Sequence, residues 1–218
     1  MLPTSQRPPR VHDLLRLNPD AVIAADMDKP SWVGQSSNDH RWVVVRREIA
    51  QDGFVAVGTR GTERHQRWAG FVALADVKER VRPSQFTSHR PCPTRMAIPA
   101  FSALLLIERQ LTNSELDWGP VGSVGFELAT GEQVVSTTSD LDLALFAPRP
   151  FLRSAARDLW NVISAAPAKV DVCVETPCCG FSLEEYARES AETFLVRLPA
   201  NRQLATDPWT VSVIEDEE

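Results

Sequence analysis

Residues 139–145 alternate acidic and apolar side chains, and this alternation constrains the fold more than any other part of the chain. The segment is Ser-Asp-Leu-Asp-Leu-Ala-Leu. Successive side chains of a β-strand point to opposite faces, so a strand here presents Asp140 and Asp142 on one face while the three leucines enter a core. The segment therefore predicts a half-buried strand whose polar face carries two carboxylates.

A second acidic strand is predicted at residues 169–175. Its valines alternate with Asp171, Cys173 and Glu175, as in a strand with one polar face. Between the two strands, Phe151 to Ala165 has apolar residues at helical spacing. Because a strand-helix-strand connection makes its two strands neighbours, Asp171 is expected beside the acid pair.

These three acids have the chemistry of a magnesium site. Mg²⁺ is usually held by one or two carboxylates together with the phosphates of a substrate, and a third carboxylate often completes a two-ion site. The predicted metal ligands and catalytic residues are Asp140, Asp142 and Asp171, in a phosphoryl or nucleotidyl transfer. Asp171 is alternatively the general base that takes the proton of the attacking hydroxyl. An Asp-x-Asp pair taken alone more often lies on a solvated strand face or in a loop.

Gly122 and Ser123 follow an apolar segment and precede a predicted short helix at residues 124–129. Glycine permits close approach of a phosphate, and the amides of a helix N-terminus favour anionic oxygens. The pair therefore predicts a phosphate-binding turn. By itself, Gly-Ser is also typical of an ordinary turn or helix N-cap.

Charge is divided unevenly along the chain, whose formal net charge is −6. Residues 1–110 contain 16 Lys/Arg and 11 Asp/Glu, a balance of +5, whereas residues 111–218 contain 7 and 18, a balance of −11. A basic lobe facing an acidic, metal-loaded lobe suits a polyphosphate substrate. The alternative is an uneven surface charge without function.

Three regularly spaced arginines are the most specific functional signal in the basic half of the chain. Arg60, Arg64 and Arg67 have i, i+4 and i+7 spacing, which predicts one helical face. Guanidinium groups bind phosphate bidentately, so they are candidates to hold a triphosphate. Solvated surface arginines are the alternative.

The organisation predicted from turns and composition is a two-domain α+β protein. Hairpin chemistry at residues 42–58 indicates a small β-containing N-terminal domain, and prolines mark a linker. The predicted boundaries are a disordered lead-in at 1–10, a basic N-terminal domain at 11–82, a Pro-rich linker at 83–99, a catalytic domain with a mixed sheet and flanking helices at 100–212, and an acidic tail at 213–218.

Composition and charge disfavour a membrane-spanning protein, a secreted protein, a zinc-binding protein and a nucleic-acid-binding protein. No apolar run approaches the roughly 20 residues of a membrane span, and the N-terminal segment lacks an apolar secretory core, so a cytoplasmic protein is expected. The four cysteines lack metal-binding spacing. Nucleic acid is not an expected partner, because the net charge is negative and no basic stretch is interleaved with aromatic residues.

The sequence resembles a known family over most of its length, from about Val43 to Trp209. The resemblance lies in Val57–Gly61 and Arg64–Ala69 near the N-terminus, and in the motifs around Gly122, Asp140 and Asp171. It also includes Phe181–Tyr186 and Asp207-Pro208-Trp209. The family is the malonate decarboxylase holo-acyl-carrier-protein synthases, also called phosphoribosyl-dephospho-CoA transferases.

This resemblance implies a nucleotidyltransferase-like catalytic domain and a specific reaction. A serine of the apo acyl carrier protein attacks the α-phosphate of 2′-(5″-triphosphoribosyl)-3′-dephospho-CoA, and pyrophosphate leaves. The family's two essential aspartates match Asp140 and Asp142, and Asp171 matches by position. The substrate-binding residues in this hypothesis are Gly122, Ser123, Ser139, Arg60, Arg64 and Arg67. The alternatives are another Mg²⁺-dependent nucleotidyltransferase that uses ATP, and a noncatalytic scaffold that binds acyl carrier protein or a CoA-like nucleotide.

Overall fold

The computed structural model describes residues 8–25, 28–33, 41–61, 66–111, 114–189 and 192–211. Contacts within the chain divide it into two units, Met1–Arg82 and Pro83–Glu218. Each unit is built around its own sheet, and the α-helices of the described residues belong to the second unit. The expected α+β composition is confirmed.

The first unit contains an antiparallel sheet whose strands, in the described residues, lie in the order β4-β3-β2-β1-β5. The strands are β1 Leu14–Leu17, β2 Arg41–Val45, β3 Phe54–Arg60, β4 Arg67–Ala73 and β5 Val77–Val81. Alternating valines and leucines of these strands, among them Leu15, Val43 and Val57, form a buried cluster. The cluster arises because period-2 apolar residues meet on one face of the sheet.

The hairpin predicted at residues 42–58 is confirmed. Strands β2 and β3 pair antiparallel, with Val44 opposite Gly58 and Val45 opposite Val57. Gly53 lies in the turn between them with a φ of 82°, a conformation that glycine adopts at little cost.

The helical face predicted for the three arginines is wrong. Arg60 is the last residue of β3 and Arg67 the first of β4, and the two are directly opposite each other in the ladder. The apolar residues that flank them, such as Val55, Val57 and Val72, repeat with period 2, and the burial of that face determines the local structure. Arg64 lies outside the described residues.

The second unit combines a mixed sheet with four helices in its described residues. The strands lie in the order β11-β10-β9-β8-β7-β6, and β7 and β8 are parallel while the other neighbours are antiparallel. The strands are β6 Asp117–Pro120, β7 Leu141–Phe146, β8 Val170–Glu175, β9 Gly180–Ser182, β10 Phe194–Arg197 and β11 Arg202–Ala205. The helices are α1 Pro99–Leu111, α2 Gly122–Thr130, α3 Arg153–Ser164 and α4 Leu183–Ala187.

One face of this sheet is covered by helices. A single buried cluster joins Leu141, Leu143 and Leu145 of β7 and the valines of β8 to residues of all four helices. Among those helix residues are Phe101 of α1 and Ile163 of α3, which are almost fully buried. Because strand side chains alternate, the opposite face of β7 and β8 carries the acids.

Residues 83–99, predicted as a linker, group with the second unit. They contain two 3₁₀ turns, Pro83–Phe86 and Pro93–Arg95, and Phe86 is buried. Pro83 lies against β6, where its carbonyl would contact any side chain added at Gly119. Among the described helices, none has the length and apolar character needed to cross a bilayer.

Candidate active site

The three predicted acids meet at the start of two parallel strands. Asp142 and Asp171 are the second residues of β7 and β8, and they are register partners. Helix α3 connects the two strands, as expected from its apolar spacing. Neighbouring strands are about 4.8 Å apart, so the two carboxylates extend from adjacent positions on one face.

Asp140 lies in the loop directly before β7, because the strand begins one residue later than its alternation suggests. The backbone N–H of Leu141 donates to the carbonyl of Lys169 at 2.9 Å, which is where the chain joins the sheet. The Asp140 side chain remains 38% exposed, and that of Asp171 51%. Both carboxylates are therefore accessible to a ligand from solvent.

The carboxylates converge on one cation of the chain itself. Lys169 Nζ lies 2.9 Å from Asp171 Oδ2 and 3.6 Å from Asp140 Oδ2. The hydrogen bond to Asp171 and the charges of both aspartates raise the pKa of Lys169 above its ordinary value. The ammonium group shows that a cation between these carboxylates is electrostatically favoured.

Gly122 brings the predicted phosphate-binding turn against the acids. It is the first residue of α2 and has a φ of 59°. A Cβ at this position would lie 2.1 Å from Asp142 Oδ2, so only glycine fits. The N–H of Val121 donates to the Asp142 carbonyl at 2.9 Å, and this bond holds the start of α2 beside β7. Ser123 follows as the second residue of the helix.

Ser139 closes a short turn in front of Asp140. The N–H of Ser136 donates to Ser139 Oγ at 2.9 Å, and the N–H of Ser139 donates to the Ser136 carbonyl at 3.2 Å. The predicted substrate-binding residue Ser139 is therefore next to the acids, with its hydroxyl engaged within the turn.

Of the predicted arginines, Arg60 and Arg67 belong to the first unit. They are register partners at the end of β3 and the start of β4, so their side chains extend from the same face of the sheet. Arg60 is half-buried and Arg67 is exposed.

Three residues near the acids were missed from the sequence. Lys169 bridges Asp140 and Asp171, and Glu127 of α2 pairs with Arg95. Glu127 had a visible signal, because it is the one charged residue of the apolar stretch at 124–129. Lys169 and Arg95 had no such signal. Arg95 pairs with a residue that is distant in sequence, and Lys169 pairs with Asp171 two residues away and with the distant Asp140.

Carboxylates that converge on a cation beside the start of a helix define a site suited to transfer at phosphorus. Comparison with known proteins agrees with this class. Residues 88–208 match the family profile described as phosphoribosyl-dephospho-CoA transferase MdcG C-terminal domain, and residues 10–83 match the corresponding N-terminal domain.

Curated relatives named phosphoribosyl-dephospho-CoA transferase match nearly the whole chain. A relative from Pseudomonas putida is 39% identical over 203 residues, which cover 93% of this chain and 96% of the relative. A relative from Pseudomonas aeruginosa is 37% identical over 207 residues, which cover 95% of this chain and 97% of the relative. A relative from Azotobacter vinelandii is also 37% identical over 207 residues, which cover 92% of this chain and 94% of the relative. No solved structure matches the chain. The chain belongs to the phosphoribosyl-dephospho-CoA transferase family, as the resemblance predicted.

Proposed function

We propose that this chain is the holo-acyl-carrier-protein synthase of malonate decarboxylase. It transfers the phosphoribosyl-dephospho-CoA group from 2′-(5″-triphosphoribosyl)-3′-dephospho-CoA to a serine of the apo acyl carrier protein. The serine oxygen forms a bond to the α-phosphorus, the bond from that phosphorus to the bridging oxygen of the pyrophosphate breaks, and the serine proton passes to a base. Membership of the family over nearly the full chain supports this activity.

The observation that carries the proposal is the convergence of Asp140, Asp142 and Asp171 at the start of β7 and β8. Asp142 and Asp171 are register partners, and Asp140 and Asp171 share the Lys169 ammonium group. Like charges on neighbouring strand positions are unfavourable by themselves. Their concentration beside Gly122 is accounted for by a cationic ligand and the phosphates that accompany it.

We propose that these three aspartates hold Mg²⁺. Two of them already direct oxygens at one cation, and carboxylate oxygen is the donor that Mg²⁺ prefers. When bound, the ion would neutralise charge that develops on the α-phosphate and the leaving pyrophosphate. Asp171, whose side chain is more exposed than that of Asp140, is also proposed to accept the serine proton.

The phosphate-binding roles follow from the positions of the remaining residues. The absence of a side chain at Gly122 lets the Asp142 carboxylate lie against the start of α2, and Ser123 lies in the first turn of this helix, where backbone N–H groups have no partner within the helix. Ser139 shapes the turn before Asp140. Arg60 and Arg67 are proposed to bind phosphates of the substrate through paired guanidinium groups, and Arg64 has the same proposed role from outside the described residues.

The fold supports a nucleotidyltransferase-like catalytic domain in the second unit, with the helices on one face of a mixed sheet and the acids on the other. We retain the domain boundaries predicted from the sequence as part of the proposal. The cytoplasmic location expected from the sequence is likewise kept as part of the proposal.

Intact-mass analysis of the apo acyl carrier protein tests the proposed function. The carrier is incubated with this protein, Mg²⁺ and triphosphoribosyl-dephospho-CoA, beside reactions without Mg²⁺ and with ATP alone. The expected result is a mass gain equal to the phosphoribosyl-dephospho-CoA group that requires Mg²⁺. Addition of an adenylyl group with ATP, or no addition with either donor, would overturn the assignment.

A further inference from the structure

A buried ion pair lies beside the chain segment that leads to Asp140. Glu127, in the middle of α2, is 5% exposed, and Arg95, the last residue of a 3₁₀ turn, is 16% exposed. Arg95 donates from Nε to Glu127 Oε1 and from Nη2 to Oε2, the second at 2.9 Å. This bidentate geometry fixes the orientation of both side chains.

The same carboxylate also holds the loop that leads to Asp140. Glu127 Oε2 accepts from the backbone N–H of Val134 at 2.9 Å and of Val135 at 2.8 Å. Arg95 closes the arrangement by donating to the Val135 carbonyl. The turn at residues 136–139 follows immediately, so the path from Glu127 to Asp140 is hydrogen-bonded at successive steps.

Helix α2 thereby links the two halves of the candidate site. Its first residues are Gly122 and Ser123, and Glu127 one turn later fixes the loop that carries Ser139 and Asp140. A helix is stiff over one turn, because each backbone N–H is bonded within it. The separation between the phosphate-binding turn and Asp140 is therefore set through this side chain.

Stability alone is a weak reason for such a pair. Desolvation of two charges often cancels their attraction, and apolar replacements are frequently as stable. Ordinary packing would also not require four donors to meet at one carboxylate beside the active-site loop.

We propose that Arg95 and Glu127 are positioning residues that set the distance between the Gly122-Ser123 turn and the metal ligand Asp140. The inference rests on the proposed function for the identity of the reaction and for Asp140 as a metal ligand, whereas the effect of the pair on the loop before Asp140 is measurable by hydrogen exchange without metal or turnover. Removal of the pair leaves the ligands in the chain but weakens their preorganisation.

Glu127→Gln is the sharpest test because it keeps the volume of the side chain. An amide offers one oxygen and one NH₂ group, so in either orientation an N–H donor of Arg95 or of the loop faces another donor. We expect Mn²⁺ affinity, measured by calorimetry, to fall roughly tenfold to a hundredfold, as for residues that orient metal ligands. Hydrogen exchange at the amides of residues 134–140 is expected to become faster.

Two controls separate positioning from a general loss of stability. Glu108→Gln makes the same chemical change in another ion pair of this unit, which Glu108 forms with Arg90. This variant is expected to keep the Mn²⁺ affinity of the wild type and the same hydrogen-exchange rates at residues 134–140. Ile163→Val creates a small cavity in the buried core and is expected to lower Tm without affecting the metal. Arg95→Lys keeps the charge but not the bidentate contact, so it is expected to give an intermediate loss of affinity.

The proposal is overturned if Glu127→Gln and Arg95→Lys behave as Ile163→Val does, with lower Tm but unchanged Mn²⁺ affinity and unchanged exchange at Ser139 and Asp140. A wild-type protein that binds Mn²⁺ but does not modify the carrier would overturn the proposed function instead. In that case the metal titration and exchange data would still decide whether the pair positions Asp140.

Discussion

The two units each place like charges opposite one another, but in different structural settings. In the second unit, Asp142 and Asp171 are partners on parallel strands joined by a helix. In the first, Arg60 and Arg67 are partners at the end of an antiparallel hairpin. Like-charged partners weaken a sheet, and proteins tolerate such conflicts chiefly at functional sites. The acids suit a cation, and the arginines suit an anion.

The two pairs also differ in the structure that surrounds them. The acid cluster contains a cation of its own, since the ammonium group of Lys169 contacts Asp140 and Asp171. It also borders a large helix-covered core, whereas the arginine pair lies next to the loop that connects the two strands of a hairpin. Because it borders this core, we expect the acid site to be the more sensitive of the two to substitution.

Substitution of an acid should have the largest effect. Asp140→Asn and Asp142→Asn remove a proposed metal ligand while leaving the volume unchanged, so we expect kcat for carrier modification to fall at least roughly a thousandfold, or about 4 kcal/mol of transition-state stabilisation. Quenched-flow or intact-mass kinetics at saturating Mg²⁺ measures this. Activity near that of the wild type would remove these acids from the mechanism.

Gly122→Ala should be the next most severe change. The added Cβ would lie 2.1 Å from Asp142 Oδ2, and the left-handed φ of 59° costs a non-glycine residue about 1–2 kcal/mol. Displacement of Asp142 by about 1 Å is expected to lower kcat roughly a hundredfold. Gly131→Ala, at the other end of α2 and with a φ of 76° but open space around it, is the matched control. Equal activity in the two variants would contradict the steric argument.

Neutralisation of the arginine pair should have a smaller effect, mainly on substrate binding. For the double variant Arg60→Gln and Arg67→Gln, we expect KM for the triphosphate substrate to rise about tenfold, equivalent to about 1.4 kcal/mol of charge-assisted hydrogen bonding, with kcat largely retained. Steady-state kinetics at several salt concentrations provides the measurement. A change in kcat alone would show that the arginines act differently from simple phosphate binding.

Loss of Lys169 should have the smallest effect, and it should increase metal affinity where the other substitutions in the acid site decrease it. Lys169→Met removes a cation that competes for the acid cluster, so Mn²⁺ is expected to bind severalfold more tightly at low ionic strength, and the difference should shrink as salt screens the charges. Calorimetric titration at two salt concentrations tests this. Weaker binding in the variant would show that Lys169 organises the acids instead of competing with the metal.

The same two regions show what the sequence could predict. For the acids, the flanking leucines and valines repeat with period 2, and the intervening apolar helix makes the strands neighbours, so the pairing of Asp142 with Asp171 was predictable. For the arginines, only the spacing of charges was used, and it wrongly indicated a helix. The buried apolar face of a segment determines its period, whereas exposed charges fit either element.

Other features were beyond sequence reasoning because they depend on tertiary contacts. Arg95 and Glu127 are 32 residues apart, and nothing in their local patterns indicates that they meet. The left-handed conformation of Gly122 is compatible with many roles of a glycine, and only its distance from Asp142 identifies the reason for it. The strand start at Leu141 depends similarly on the hydrogen bond to Lys169.

The most direct test of the central claim is a calorimetric titration of the full chain with Mn²⁺, compared with Asp142→Asn and Asp171→Asn. We expect the wild type to bind the ion in a site that Mg²⁺ competes for, and each substitution to abolish or strongly weaken that binding while Tm of the metal-free protein is maintained. Unchanged affinity and stoichiometry in both variants would contradict the assignment of these paired aspartates as the metal site.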